Sequence, residues 1–328
     1  MSSYLERFLA GDAEPTLPEM LSGGVRVRSM GEGLVCVEPS QPRYDLLISS
    51  GIHGNETAPI ELACGLLQAI LDDRLVPQAR ILFALGNPEA IRQGVRYLDD
   101  DLNRLFGKDP AATGQGPAAV RARILESAVR QFFSERGERW RLHYDLHTAI
   151  RGSKIEKFAI YPFPHDDAFD EAEIARLGRC GIEAVLLQSK PSPTFSYFTR
   201  RHCGAHGFTL ELGKARPFGQ NQAVDLRLLA AELLALISGE PALDGVGVTP
   251  TLFSVSREVI KQSDAFVLHV ADDVENFTEL PQGMTLADDA TGSFVVDEID
   301  ARIVFPNPKV KNGLRAGLVV VPTQLPTR

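Results

Sequence analysis

Four ionisable residues, at three separate points of this 328-residue chain, have the types needed for metal-assisted hydrolysis. His53 and Glu56 stand three residues apart in "SGIHGNET", His147 closes "YDLH", and Glu211 lies within "FTLELG". Two imidazoles and one carboxylate make a three-ligand set suited to catalytic zinc, which keeps a fourth position for water. Such an ion lowers the pKa of the water to about 7 and polarises a carbonyl oxygen. A further carboxylate, not itself a ligand, must then carry the water proton to the leaving nitrogen. Glu211 is the candidate for that work. Taken singly, each residue also has an ordinary reading. An HxxE pair suits a solvated turn, a histidine on an apolar strand is commonly a satisfied core group, and Glu211 between Leu210 and Leu212 could serve a salt bridge.

What makes the set worth joining is where the chain places it. In an open α/β sheet, ligands gather beyond the carboxyl ends of strands. The apolar run at 44–50 predicts a strand covered on both faces, and it leads directly into the glycines around His53. Ile60, Leu62, Ala63, Leu66, Leu67 and Ile70 then recur at helical spacing. Thr57 is a candidate cap for that helix, and Pro59 is tolerated in its first turn. Further strands are predicted at 80–85, 141–147, 158–162, 184–188 and 207–213, with helices at 118–135, 170–179, 194–201 and 225–237. A hairpin is expected over 25–38. Strands alternating with helices imply a mostly parallel sheet. His53 and Glu56 follow one strand, His147 ends another, and Glu211 lies late in a third. After "SGEPALDGVGVTP" the helical periodicity stops and short β-rich runs take over. The expected organisation is therefore an α/β catalytic domain over residues 1–245 and a small β-rich domain over 246–328.

The rest of the composition narrows the partners. Lys plus Arg total 34 and Asp plus Glu 43, a net charge of −9, which disfavours nucleic acid and anionic membranes. No run of about eighteen apolar residues is present, and the first twenty residues do not read as a signal peptide. Four scattered cysteines without a CxxC pair fit a reducing cytoplasm. No phosphate-binding glycine loop and no GxSxG nucleophile turn occurs. An anionic small substrate remains compatible, because arginines such as Arg96 and Arg104 in "VRYLDDDLNR" can reverse the field within one cleft. Oligomeric state leaves no signal in the sequence.

The segments "GIHGNE", "GNPEAIRQGVRYLDDDLNRLF", "YDLHT" and "FTLELG" resemble, in order and spacing, the succinylglutamate desuccinylase and aspartoacylase family of carboxypeptidase-like zinc hydrolases. "TFSYFTRRHCGAHGFTLELGKARPFGQN" and "FPNPKVKNGLRAGL" bring the chain closer to the desuccinylase branch. The resemblance implies a carboxypeptidase-like mixed sheet flanked by helices, followed by a small C-terminal β domain. It also implies one Zn2+ per chain on His53, Glu56 and His147, with Glu211 as the catalytic glutamate and Arg96 polarising the scissile carbonyl. Asn103 and Arg104 are implied to hold a substrate carboxylate, and Asp101 to stand behind His53. By comparison with the aspartoacylase branch, Tyr197 and Arg201 are implied to line the substrate pocket, with the neighbouring Arg200 competing for that place. The activity expected is hydrolysis of N-succinyl-L-glutamate to succinate and L-glutamate, closing a succinyltransferase route of arginine catabolism. Action on another N-acyl amino acid, or metal binding without catalysis, are the alternatives.

Overall fold

The computed structural model describes residues 2–12, 16–135, 137, 139–165, 167–240 and 247–325. Its elements in chain order begin with α1 (Tyr4–Leu9), β1 (Arg26–Gly31), β2 (Leu34–Glu38), β3 (Asp45–Ser50), α2 (Thr57–Leu71), β4 (Arg80–Leu85) and α3 (Pro88–Gln93). They continue through α4 (Pro110–Thr113), α5 (Pro117–Ser134), β5 (Arg141–Ala149), β6 (Lys157–Tyr161), α6 (Glu171–Arg179), β7 (Ala184–Leu187), α7 (Phe195–Cys203), β8 (His206–Lys214) and α8 (Arg227–Ser238). The β-rich remainder holds β9 (Thr251–Ile260), β10 (Val267–Leu268), β11 (Thr278–Glu279), β12 (Thr285–Asp289), β13 (Gly292–Val295), β14 (Arg302–Val304) and β15 (Arg315–Pro322).

Twelve strands form one sheet in the order β1-β2-β4-β3-β5-β8-β6-β7-β9-β15-β14-β11. It is parallel only in part. β4, β3, β5 and β8 run side by side in one direction, and β6 lies antiparallel to β8. The mixed sheet that the resemblance implies is thus present, and the mostly parallel order expected from the alternation holds at its centre, around which hairpins and β6 add reversed strands. β10, β12 and β13 form a separate small sheet. The boundary expected near residue 246 lies outside the described residues. On its far side, β9 joins the main sheet directly, parallel to β7 and antiparallel to β15.

The central strands are buried along their whole length because helices cover both faces. On one face Leu46, Ile48, Ile81, Phe83, Leu142, Tyr144 and Leu146 meet Ile60, Ala63 and Leu67 of α2 and Leu233 of α8. On the other, Leu47, Leu82 and Ala84 meet Leu125, Val129 and Phe132 of α5 and Phe195 and Phe198 of α7. Successive side chains of a strand point to opposite faces. With Leu142, Tyr144 and Leu146 of β5 committed to the α2 side, His143, Asp145 and His147 fall together on the α7 side. Each fully buried Leu or Phe contributes roughly 1.5–3 kcal/mol, so this register is held firmly. A slip of one residue would bury the polar set among the aliphatics.

One local expectation is corrected. Thr57 does not cap α2. It is the first helical residue, the cap position is Glu56 without a side-chain cap bond, and the Thr57 hydroxyl donates instead to the Arg216 carbonyl at 2.7 Å.

Candidate active site

The turn between β3 and α2 is forced into shape by two glycines. Gly51 takes a left-handed φ of 68°, which a side chain disfavours. A Cβ on Gly54 would lie 2.1 Å from the Ala90 carbonyl carbon. The turn is pinned from outside by Asn87 N–H donating to the Gly51 carbonyl (2.8 Å) and Gly54 N–H donating to the Arg96 carbonyl (3.1 Å). Held in this way, His53 and Glu56 turn inward with 4% and 1% exposure.

β5 brings His147 to the same point. Glu56 lies between the two imidazoles, with Oε1 2.8 Å from His53 Nδ1 and Oε2 3.0 Å from His147 Nδ1. The Thr148 backbone N–H also donates to Oε2, at 3.0 Å. The far nitrogen of each ring has its own carboxylate: Asp101 Oδ1 is 3.0 Å from His53 Nε2, and Asp145 Oδ2 is 3.1 Å from His147 Nε2. Carboxylates on the outer nitrogens orient ligating imidazoles and raise their basicity. One ligand atom from each of His53, Glu56 and His147 lies within 4.8 Å of the others. Both Nδ1 lone-pair positions and the Glu56 carboxylate therefore converge, a donor set that fits a divalent cation such as zinc. A second group, Asp170, Glu173 and His206, is as close together. There, however, Asp170 is engaged in capping α6 and Glu173 is paired with Arg176.

The electrostatics bear the mark of this crowding. Burial opposes charge on Glu56, but His53 and His147 outweigh it and hold the carboxyl far below its usual range. Burial likewise opposes charge on His147, yet Asp145 and Glu56 keep its pKa well above the usual histidine value. Desolvation is also the largest effect on Asp101, and the hydrogen bond and charge of His53 reverse it.

Glu211 is directly opposite His147 across the β5–β8 ladder. It is 8% exposed, and its Oε2 is buried without a hydrogen-bond partner. Burial pushes its carboxyl up to about 7, with Glu56 adding to the rise and His147 working against it. A carboxylate that exchanges its proton near neutrality, with one oxygen free, is what a proton shuttle needs.

The arginine segment wraps the mouth. Arg96 donates from Nη1 to Glu56 Oε1 at 2.9 Å. The Asp101 carboxylate accepts the Asn103 backbone N–H at 3.0 Å, so the acid behind His53 also shapes the loop. Asn103 accepts the Phe195 N–H on Oδ1 at 2.9 Å, tying the loop to the start of α7 and leaving its amide NH2 as the donor. Arg104 donates to the Asn103 carbonyl at 2.8 Å and is 3.9 Å from Asp101.

Tyr197 and Arg201 stand apart from this network. α7 packs through Phe195, Phe198, Thr199 and Cys203, so residues 197 and 201, four apart, share its outer side. The Tyr197 hydroxyl bonds to His165 Nε2 at 2.7 Å, and Arg201 is exposed. Arg200 lies over the Tyr161 ring instead, in a cavity of about 340 Å³ also lined by Asp170 and His206, the residue that opens β8. Among the described residues none of the three bonds to the His53–Glu56–His147 cluster.

Ser49, His143, Asp145 and Thr199 stand together behind His147, and sequence pattern alone gave none of them a role. For His143 and Asp145 the available signal was the period of two along β5, which puts them on one face with His147; Ser49 on β3 and Thr199 on α7 had no such signal.

Comparison with known proteins agrees with the geometry. Residues 42–237 match the family described as the succinylglutamate desuccinylase/aspartoacylase catalytic domain, and residues 248–323 match the AstE/AspA barrel-sandwich hybrid domain. A succinylglutamate desuccinylase of Pseudomonas paraeruginosa is 54% identical over 99% of each chain. One from Pseudomonas aeruginosa is 52% identical over 99% of each. Among solved structures, the succinylglutamate desuccinylase of Chromobacterium violaceum superposes with a TM-score of 0.85 at 46% identity, covering 99% of both chains. Murine aminoacylase 3, at 18% identity and a TM-score of 0.54 over 86% of this chain and 95% of its own, shares the fold. The chain belongs to the succinylglutamate desuccinylase/aspartoacylase family.

Proposed function

We propose that this protein hydrolyses N-succinyl-L-glutamate to succinate and L-glutamate with one Zn2+ per chain, as the closing step of a succinyltransferase route of arginine breakdown in the cytoplasm. The observation that carries the reading is the pairing of a buried His53–Glu56–His147 donor set with the unpartnered oxygen of Glu211 across the β5–β8 ladder. The names of relatives more than 50% identical over nearly the whole chain support the substrate.

When bound, the cation supplies Lewis acidity, making water a stronger acid and a carbonyl carbon a better electrophile. The protein's own residues do the remainder. Glu211 accepts a proton from the attacking water at Oε2, and the water oxygen bonds to the succinyl amide carbon. Arg96 donates to the carbonyl oxygen as negative charge grows on it, an interaction strongest in the transition state. Glu211 then delivers its proton to the amide nitrogen, the C–N bond breaks, and glutamate leaves as the amine. Arg104 and the amide NH2 of Asn103 hold a substrate carboxylate through charge-assisted bonds. The resemblance also assigns Tyr197 and Arg201 to the substrate pocket, although on α7 they stand apart from the His53–Glu56–His147 cluster. A substrate with three carboxylates explains arginines at the mouth of a site in an acidic chain.

The test combines metal analysis of the purified protein with product release from N-succinyl-glutamate, N-acetylaspartate and other N-acyl amino acids. One zinc per chain and preferential succinate release are expected. Preference for N-acetylaspartate would move the protein to the aspartoacylase-type activity. Bound metal without turnover on any substrate would leave a metal-binding protein, a reading that the presence of Glu211 argues against, since storing an ion needs no proton shuttle.

A further inference from the structure

Behind His147 runs a chain of hydrogen bonds that the catalytic proposal does not use. Asp145 Oδ1 accepts the Ser49 hydroxyl at 2.6 Å, while Oδ2 faces His147 Nε2 at 3.1 Å. Ser49 Oγ is also 2.8 Å from His143 Nε2, and His143 Nδ1 is 2.7 Å from Thr199 Oγ1 on α7. Ser49, His143, Asp145 and Thr199 are all fully buried. Buried polar groups of this kind have few alternative partners, so each proton has a definite place.

Those places follow from donor counting. An ionised carboxylate only accepts, so the single Ser49 proton goes to Asp145. Ser49 Oγ must then accept, which requires a proton on His143 Nε2. A neutral imidazole carries one proton, so His143 Nδ1 accepts from Thr199. Burial pushes the His143 pKa down to about 4, in keeping with the neutral ring. Thr199 Oγ1 is also 3.0 Å from the Ser196 carbonyl, but it has one proton to give, and neutral His143 takes it. The three bonds from Thr199 through His143 and Ser49 run in one direction and end on the Asp145 carboxylate, whose second oxygen demands a proton from His147 Nε2. The Nδ1 lone pair of His147 then faces Glu56.

We propose that Ser49 and His143 are positioning residues that fix the Nε2–H tautomer of His147 through Asp145 and so present Nδ1 to the cation. This rests on His147 being a metal ligand. It makes α7, through Thr199, part of the mounting of the metal site.

Two measurements test it. In wild-type protein labelled with nitrogen-15 histidine and loaded with Zn2+, long-range proton–nitrogen correlation reads each ring's tautomer without perturbing the fold. His143 is expected as the neutral Nε2–H form; an Nδ1–H ring or an imidazolium there overturns the proposal. In the second, Co2+ affinity is measured by chelator competition, with the visible spectrum of the bound ion as a coordination signature. Ser49→Ala and His143→Leu are expected to bind about tenfold or more weakly with an altered spectrum. His143→Gln, which keeps a donor toward Ser49, should stay within about threefold of wild type. Wild-type affinity and spectrum in both Ser49→Ala and His143→Leu would overturn the positioning role. Weakening by His143→Gln equal to that of His143→Leu would do the same, since it points to lost packing. Failure of wild type itself to bind metal would strike at the ligand assignment instead.

Discussion

Replacing Glu211 by glutamine conserves shape and removes only the ability to hold and release a proton. In the zinc-loaded protein this should leave metal content unchanged and lower kcat by about 10²–10⁴-fold, the usual share of a positioned acid–base group. At 1.36 kcal/mol per tenfold, that is about 3–5 kcal/mol of barrier. The same substitution has a second consequence in metal-free protein. A glutamate ordinarily ionises near 4.5, whereas burial holds Glu211 protonated up to about 7. Below 4.5 the side chain is neutral in both folded and unfolded chains, and glutamine gains nothing. As pH rises through this window the unfolded chain ionises first, so the wild-type fold progressively loses stability. Above about 7 it must bury a charge. The gap of roughly 2.5 pH units corresponds to about 3 kcal/mol. Glu211→Gln never carries that charge. In chelator, its Tm should match wild type near pH 4.5 and exceed it by several degrees at pH 8. Steady-state kinetics with metal analysis, and thermal melts across pH, check the two halves. A metal-loaded variant retaining more than a tenth of wild-type turnover would refute the shuttle. A Tm difference that does not change with pH would refute the buried, proton-holding carboxyl.

Three other perturbations are as direct. Gly54→Ala places a Cβ against backbone atoms of Ala90 and Ile91, so the turn carrying His53 and Glu56 must move. A stability loss of about 3 kcal/mol or more, with reduced zinc content, is expected in melts and metal analysis, and a near-wild-type Tm would contradict the close approach. Asp101→Asn removes the charge behind His53 Nε2 and should weaken zinc affinity about 10–100-fold, measured by chelator competition. Arg96→Ala should lower kcat by about 10²–10³-fold while zinc remains bound. Loss of zinc in that variant would mean that its bond to Glu56 mounts the metal site rather than serving the reaction.

The chemistry-bearing residues were readable because they sit at recognisable joints. His53 and Glu56 lie between glycines where an apolar run gives way to a helical pattern, and His147 and Glu211 fall late in apolar strands. Strand-end position is a local property, and periodicity reports it. The same locality explains the misplaced cap at Thr57. A threonine before a helix is an ordinary cap by sequence, but its hydroxyl is claimed by Arg216, a partner 159 residues away.

What lies between distant segments was decided by the tertiary structure alone. Local pattern holds no record that β9 would pair with β7 and carry the sheet past the texture change near residue 246. Nor does it say that Asn103 would spend its carbonyl oxygen on α7, or that Tyr197 would bond to His165. It also left open which ring nitrogens face inward. The sequence by itself determined which residue types can hold a cation and move a proton, since that follows from side-chain chemistry and strand ends. The fold decided that Nδ1 of both histidines meets Glu56 while Asp101 and Asp145 take Nε2. The physical reason is that hydrogen-bond direction depends on every neighbour of a buried group, and those neighbours come from β3, β5 and α7 and the arginine loop, segments that only packing brings together.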